Sequence, residues 1–180
     1  MMPRMTKRVA IVGSFSTGKT TLAEVVAPKI GLPLLPEVAR EVVDLGFKLD
    51  KDATVETETL IFLRQFYNEM THPEFVGDRS LIDVMAYASW VLEHQDRRKE
   101  FALWDTCLNI ARFHLRSQYT HVFYLPIEFG IVLDGLRPDD PAFQQDIDRR
   151  MVHLLEVNDV KYQTLTGSVE ERTEAILQAL

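Results

Sequence analysis

Cysteine is almost missing from this chain: Cys107 is the only one among 180 residues, which excludes an internal disulfide and a cysteine zinc site. It sits in an apolar helical pattern and reads as a core residue. Long hydrophobic runs are absent as well. No stretch approaches the roughly 20 apolar residues of a membrane-spanning helix, and segment 1–7 lacks the apolar core of a signal peptide. The expected location is therefore cytoplasmic, with no membrane partner. Basic runs are lacking too: Lys and Arg number 20 against 27 Asp and Glu, the net charge is −7 and the pI is about 5.2. Because phosphate backbones reward clustered cations, this balance points away from nucleic acid and toward a small-molecule partner. The histidines at 72, 94, 114, 121 and 153 show no metal-ligand spacing with carboxylates, so nothing supports a metal other than magnesium. Repeats and low-complexity tracts are missing, and the oligomeric state stays open, a homo-oligomer included.

What the chain does contain is a phosphate-binding loop. Residues Gly13 to Thr20 read GSFSTGKT, a complete G-x-x-x-x-G-K-[ST] motif between the apolar run Val9-Ala10-Ile11-Val12 and a helical pattern from Thr21. Gly13 and Gly18 let the backbone wind so that consecutive N–H groups face anionic oxygens, and the following helix aims its positive end at the same point. Lys19 supplies a mobile cation for β and γ phosphates, and the Thr20 hydroxyl is placed to ligate magnesium. Gly13, Ser14, Phe15, Ser16, Thr17, Gly18, Lys19, Thr20 and Thr21 are the expected nucleotide site, with ATP and Mg2+ as cofactors. A chance glycine turn before a lysine is the competing reading, and the strand before and helix after argue against it.

Short apolar runs alternate with longer helical ones, the pattern of a parallel sheet covered on both faces. Strands are expected at 7–12, 32–35, 74–78, 120–125 and 161–166. Helices are expected at 21–30, 38–45, 54–70, 81–92, 101–115 and 143–157, with a last one opened by the capping box Ser168-x-x-Glu171. In helix 54–70 the stripe Leu60, Leu63, Tyr67, Met70 is read as core-facing, leaving Arg64 and Gln65 to project away from it. The expected fold class is α/β: a P-loop NTPase three-layer α/β/α sandwich with a five-stranded parallel sheet, on the nucleoside/nucleotide-kinase plan. Residues 1–180 are read as one domain, with segment 126–141, rich in Gly and Pro, as a lid loop.

In such sheets ligands collect at the carboxyl ends of the strands. After the second strand stand Glu37 and Arg40; after the third stand Asp78 and Arg79. A kinase needs a carboxylate to accept the acceptor's hydroxyl proton and a second acid near magnesium. Glu37 and Asp78 are that pair, and which of them is the base is open at this point. Asp78 is assigned with Thr20 to the metal. Glu37, Arg40, Gln65 and Arg79 are the candidates for acceptor binding, and Arg137 within the lid loop is a candidate for stabilising charge on the transferring phosphate. Arg149 and Arg150 could also close on phosphate, although Arg150 has an intrahelical partner in Asp146 at i−4.

The strings STGKTTL, PEVARE, the Gln65-Phe66 pair, DRS at Asp78 to Ser80 followed by Ala86-Tyr87, DGLR at Asp134 to Arg137 and TGSVEER together resemble the NadR-like kinase family, also called the AAA-domain ATPase/kinase family. The resemblance runs over nearly the whole chain. It implies ATP-dependent phosphorylation of ribosylnicotinamide, as in the kinase half of NAD-salvage proteins, and it implies that Gly167 and Ser168 lie beside the adenine. The adenylyltransferase and regulatory portions of those proteins are not matched here, and a free-standing kinase module need not keep that substrate. The glutamate after the second strand with DRS after the third is also similar to deoxynucleoside kinases.

The leading reading is a kinase for a nucleoside-type acceptor, ribosylnicotinamide first, a deoxynucleoside second; an ATPase subunit of a larger complex is a different class. A GTPase would need N-K-x-D after a strand, and Asn158-Asp159-Val160-Lys161 precedes one in the wrong order. Replacing Lys19 by Met should abolish phosphoryl transfer while cooperative thermal unfolding persists. Undiminished transfer by that variant would remove the phosphate-loop assignment.

Overall fold

Strand β1 (Arg8–Val12) is the centre of the sheet, because its side chains are apolar on both faces. Val9 and Ile11 pack toward one layer of helices, and Ala10 and Val12 toward the other, as the two-residue period of a strand requires. In the computed structural model, which describes residues 6–94, 101–133 and 138–180, β1 is joined by β2 (Leu34–Leu35), β3 (Phe75–Asp78), β4 (His121–Tyr124) and β5 (Gln163–Thr164). The sheet is parallel throughout, in the order β2-β3-β1-β4-β5. This is the expected fold class. The register pairs Ile11 with Asp78 and Val12 with Tyr124, so the segments leaving β1, β3 and β4 emerge side by side.

Helices α1 (Lys19–Ile30) and α7 (Val169–Ala179) cover one face, burying Leu22, Ala23, Val26 and Ile176 against Val9, Ile11, Val76 and Phe123. The other face is covered by α2 (Val38–Asp44), α3 (Val55–Thr71), α4 (Leu81–His94), α5 (Phe101–Ser117) and α6 (Pro141–Val157). Its core includes Phe62, Trp104, Ile147 and Met151. Gly31 ends α1 in the left-handed region at φ 69°, as a C-terminal glycine does. Ser168 opens α7 with the capping box expected of it, and Cys107 is buried in this second core.

Two expectations fail. Most of the α3 stripe faces outward: Leu63, Tyr67 and Met70 are 55%, 62% and 51% exposed and only Leu60 packs half-buried against the core, while Glu58, Ile61, Phe62, Gln65 and Glu69 are buried. The inward face is thus partly polar, which apolar periodicity cannot detect; its polar groups are tolerated because they bond one another, beginning with Gln65 Nε2 to Glu69 at 2.7 Å. Gln65 therefore does not project outward, whereas Arg64 does and pairs with Glu41. Strand β5 is reduced to two exposed residues, a short edge strand that offers little unpaired backbone to other chains.

Gly77 is demanded by a close approach. A Cβ there would lie 2.7 Å from the carbonyl oxygen of Arg79, a backbone atom that cannot swing aside. Gly77→Ala should lower stability by about 1–3 kcal/mol through overpacking and displace the turn after β3; a melting midpoint equal to the wild type's would show that the turn can shift freely.

Candidate active site

The loop between β1 and α1 turns its carbonyl groups toward the protein. Ser14 O accepts from Thr17 Oγ1 at 2.9 Å and from Lys19 Nζ at 2.5 Å, Phe15 O accepts from Gln144 Nε2 at 2.7 Å, and Thr17 O accepts from Arg172 Nη1 at 2.9 Å. Ser14 Oγ donates to Gln144 O at 2.9 Å. With these carbonyls turned inward, peptide N–H groups of the loop other than that of Gly13 can serve an anion. The loop also closes tightly: a Cβ on Gly13 would meet Leu125 O at 2.5 Å. Residues Phe15 through Thr21 line a cavity of about 330 Å³ together with Glu37, Arg40, Arg79, Phe129 and Val132. Of the residues expected at the nucleotide, Phe15 to Thr21 share this space, whereas Gly13, Ser14, Gly167 and Ser168 are not in its wall. Burial, reinforced by the nearby Arg79 charge, lowers the Lys19 ammonium to about 7.

Beside this cavity the end of β3 forms a strained turn. Arg79 has φ +84°, rare for a residue with a side chain, and its N–H is held by Ile11 O at 3.1 Å. The turn sends neighbouring side chains in different directions. Asp78 Oδ2 accepts from Thr20 Oγ1 at 2.7 Å, joining the two expected metal residues, while Asp78 Oδ1 is buried with no hydrogen-bond partner among the described residues. Arg79 is buried beside Glu37, with its Nε 2.7 Å from Oε1, and it also approaches Asp83 at 3.9 Å and the Tyr87 ring at 5.2 Å. Glu37 occupies the N-cap position of α2 without a side-chain capping bond. Its carboxylate is instead directed to Arg79 and, at 3.5 Å, to Arg40.

A second, narrow cavity of about 30 Å³ lies on the far side of this ion pair. Its wall is built by Glu37, Val38, Ala39, Leu49, Asp50, Glu58, Ile61, Gln65, Arg79, Asp83, Val84 and Tyr87. Glu37 and Arg79 line both cavities. Of the expected acceptor residues, Gln65 joins this second space, and Arg40 lies at the phosphate cavity instead.

Several functional candidates were invisible in the sequence. Asp83 is fully buried and accepts from Gly13 N at 3.3 Å, Ser80 N at 2.9 Å and Ser80 Oγ at 3.1 Å, tying the β3 turn to the phosphate loop. Its only sequence signal is its place one helical turn after DRS. Arg172, in the TGSVEER string, pairs with Glu128, lies 5.4 Å from the Phe129 ring and supports the phosphate loop through Thr17. Gly167, at φ +90°, donates to the same Glu128 at 3.1 Å, so Gly167 and Ser168 approach the loop through this relay. Val132 N–H donates to Ser16 Oγ at 3.3 Å, which seats the first part of segment 126–141 on the phosphate loop. Arg137 lies outside the described residues. Arg150 pairs with Asp146 and Glu93, and Arg149 pairs with Asp146.

A family model described as an AAA domain matches residues 8–172. No curated protein matches the sequence. Among solved structures, NadR protein in complex with NR superposes with TM-score 0.75 at 19% identity over 96% of this chain, which spans 51% of that one. Deoxyadenosine kinase from M. mycoides with dCMP and dCDP gives 0.71 at 13% identity, over 96% and 97% of the two chains. Shikimate kinase from Acinetobacter baumannii in complex with shikimate gives 0.55 at 17%, over 97% and 93%. At these identities the likeness establishes the fold.

Burial, opposed by the charges of Arg79 and Lys19, pushes the Asp83 carboxyl up to about 6. The folded protein then keeps a proton that the unfolded chain has released, so this contribution to stability is present in acid and is lost as pH rises from about 4 through 6. The melting midpoint of the wild type relative to Asp83→Asn should fall across that window. A difference independent of pH would mean that Asp83 titrates equally in both states.

Proposed function

Because this chain belongs to the AAA-domain family and has the NadR-like P-loop kinase fold, we propose that it transfers the γ-phosphoryl group of ATP to a hydroxyl of a nucleoside-type acceptor. The observation that carries this reading is the shared wall: Glu37 and Arg79 belong both to the phosphate cavity and to the narrower cavity beside it. A hydroxyl presented from the second cavity meets the Glu37 carboxylate at the boundary with the first. Glu37 accepts the hydroxyl proton as attack begins, and Arg79 orients that carboxylate. Lys19 leaves Ser14 O for the phosphates and, with Arg137, balances charge on the transferring group. Asp78, bonded to Thr20 and outside the wall of the acceptor cavity, is assigned to the metal and not to the proton.

The site fits magnesium. Thr20 Oγ1 and the partnerless, buried Asp78 Oδ1 provide oxygen donors next to the phosphate loop, the donor type that ion prefers. Among the described residues no group of three His, Cys, Asp or Glu forms a metal cage. When bound, magnesium neutralises charge on the β and γ phosphate oxygens. Gly167 and Ser168 are assigned to the adenine side, and segment 126–141 to a lid over the nucleotide, on the strength of the Val132–Ser16 contact. Residues 1–180 then act as one kinase domain, for which a cytoplasmic location is our proposal. No described helix is long and apolar enough to cross a membrane.

The acceptor cavity is acidic. Among the described residues, Glu37, Asp50, Glu58 and Asp83 line it together with Arg79, and this preponderance of acids disfavours an acceptor that already carries phosphate or carboxylate. A nucleoside suits it better, and the cationic ring of ribosylnicotinamide suits it best, in line with the NadR structure that holds NR. A deoxynucleoside is the second reading, supported by the match to deoxyadenosine kinase over nearly the full length of both chains. An ATPase subunit has no use for a second cavity of this kind.

ADP release should rise on adding ribosylnicotinamide or a deoxynucleoside, and Glu37→Gln should lower turnover by roughly 100-fold or more with ATP binding little changed. Asp78→Asn should raise the magnesium concentration needed for activity. Full turnover by Glu37→Gln together with an inactive Asp78→Asn would exchange the two roles.

A further inference from the structure

Behind the acceptor cavity lies a buried polar cluster that the phosphoryl-transfer chemistry does not use. Glu69 on α3 is 0% exposed. Its Oε2 accepts from His114 Nε2 on α5 at 2.6 Å and from the Tyr119 hydroxyl at 2.6 Å, and Tyr119 in turn accepts from Leu81 N–H at 3.1 Å, at the start of α4. Its Oε1 accepts from Gln65 Nε2 at 2.7 Å. Three donors converge on one carboxylate, so the carboxylate acts as acceptor only.

This has a directional consequence for Gln65. An amide has a donor end and an acceptor end, and its orientation follows from its partners. Glu69 takes the donor end, so the end that Gln65 leaves for the cavity it lines is the carbonyl oxygen. Turning the amide over would set Gln65 Oε1 against Glu69 Oε1, two acceptors with no proton between them.

We propose that Glu69 is a positioning residue for acceptor specificity: by locking the Gln65 amide with Oε1 toward the cavity, it makes the site select a base that offers an N–H donor, such as a primary amide or an exocyclic amino group. The inference rests on the kinase reading of this cavity. A base carrying a carbonyl or carboxylate oxygen at that point meets Gln65 Oε1 acceptor to acceptor and leaves both groups desolvated without a bond.

The test compares kcat/KM within two acceptor pairs: ribosylnicotinamide against the riboside of nicotinic acid, and deoxyadenosine against deoxyinosine. The wild type should favour the amino or amide member of the pair it accepts by at least roughly ten-fold. Glu69→Gln preserves shape and can still accept from His114 and Tyr119, but its amide nitrogen now faces Gln65 and turns that amide over. The preference should shrink or invert, through the acceptor KM, with the KM for ATP unchanged. A merely structural role for Glu69 would lower both members alike, and that result, or an unaltered preference, would overturn the proposal. If Glu69→Gln does not melt cooperatively, Gln65→Leu decides: it should flatten the preference, and a preference retained in full would again overturn it. If the wild type phosphorylates no member of either pair, the kinase reading itself fails, and this inference fails with it.

Discussion

The buried guanidinium of Arg79 is the interaction on which the site depends. A cation taken out of water needs carboxylates and a ring face around it, and Glu37, Asp83 and Tyr87 come from α2 and two successive turns of α4 to supply them. The same requirement brings the base candidate Glu37 to the wall between the two cavities. Nearby acids hold the Arg79 charge firmly, with Glu37 the largest favourable influence against the cost of burial. The left-handed backbone at Arg79 is the local strain this arrangement carries. Gly77 makes that turn sterically feasible.

The phosphate loop is held from a distance. Gln144 on α6 and Arg172 on α7 bind its carbonyls from opposite sides of the sheet, and Asp83 takes the Gly13 N–H. An anion site made of peptide N–H groups works only if those groups are already aimed, and here side chains far away in sequence do the aiming. Arg172 also reaches Glu128 and Phe129, so the segment after β4 is tied to the loop through the same guanidinium.

Helix α3 divides its labour unusually. Its outward face keeps Leu63, Tyr67 and Met70 partly in water, while its inward face carries Glu58, Gln65 and Glu69. A polar inward face is costly unless every group is bonded, and the bonds to His114 and Tyr119 meet that condition at Glu69. The cavity walled by Glu37 and Arg79 takes part of its polarity from Glu58 and Gln65 on this face.

Read alone, the sequence determined the phosphate loop, because glycine at two positions and Lys-Thr after them state a local backbone and its chemistry within a few residues. It likewise determined the number and kind of the main elements and the capping of α1 and α7, since strand and helix periods, Gly31 and Ser168-x-x-Glu171 are local signals. Glu37, Asp78 and Arg79 were legible by position, at the ends of strands. Strand order, the outward turn of the α3 apolar stripe, and the roles of Asp83, Glu69 and Arg172 were decided only by the tertiary structure. These residues act through partners far along the chain, such as the 155 positions between Arg172 and Thr17, and a buried polar side chain looks in sequence like an exposed one until the fold shows what it bonds.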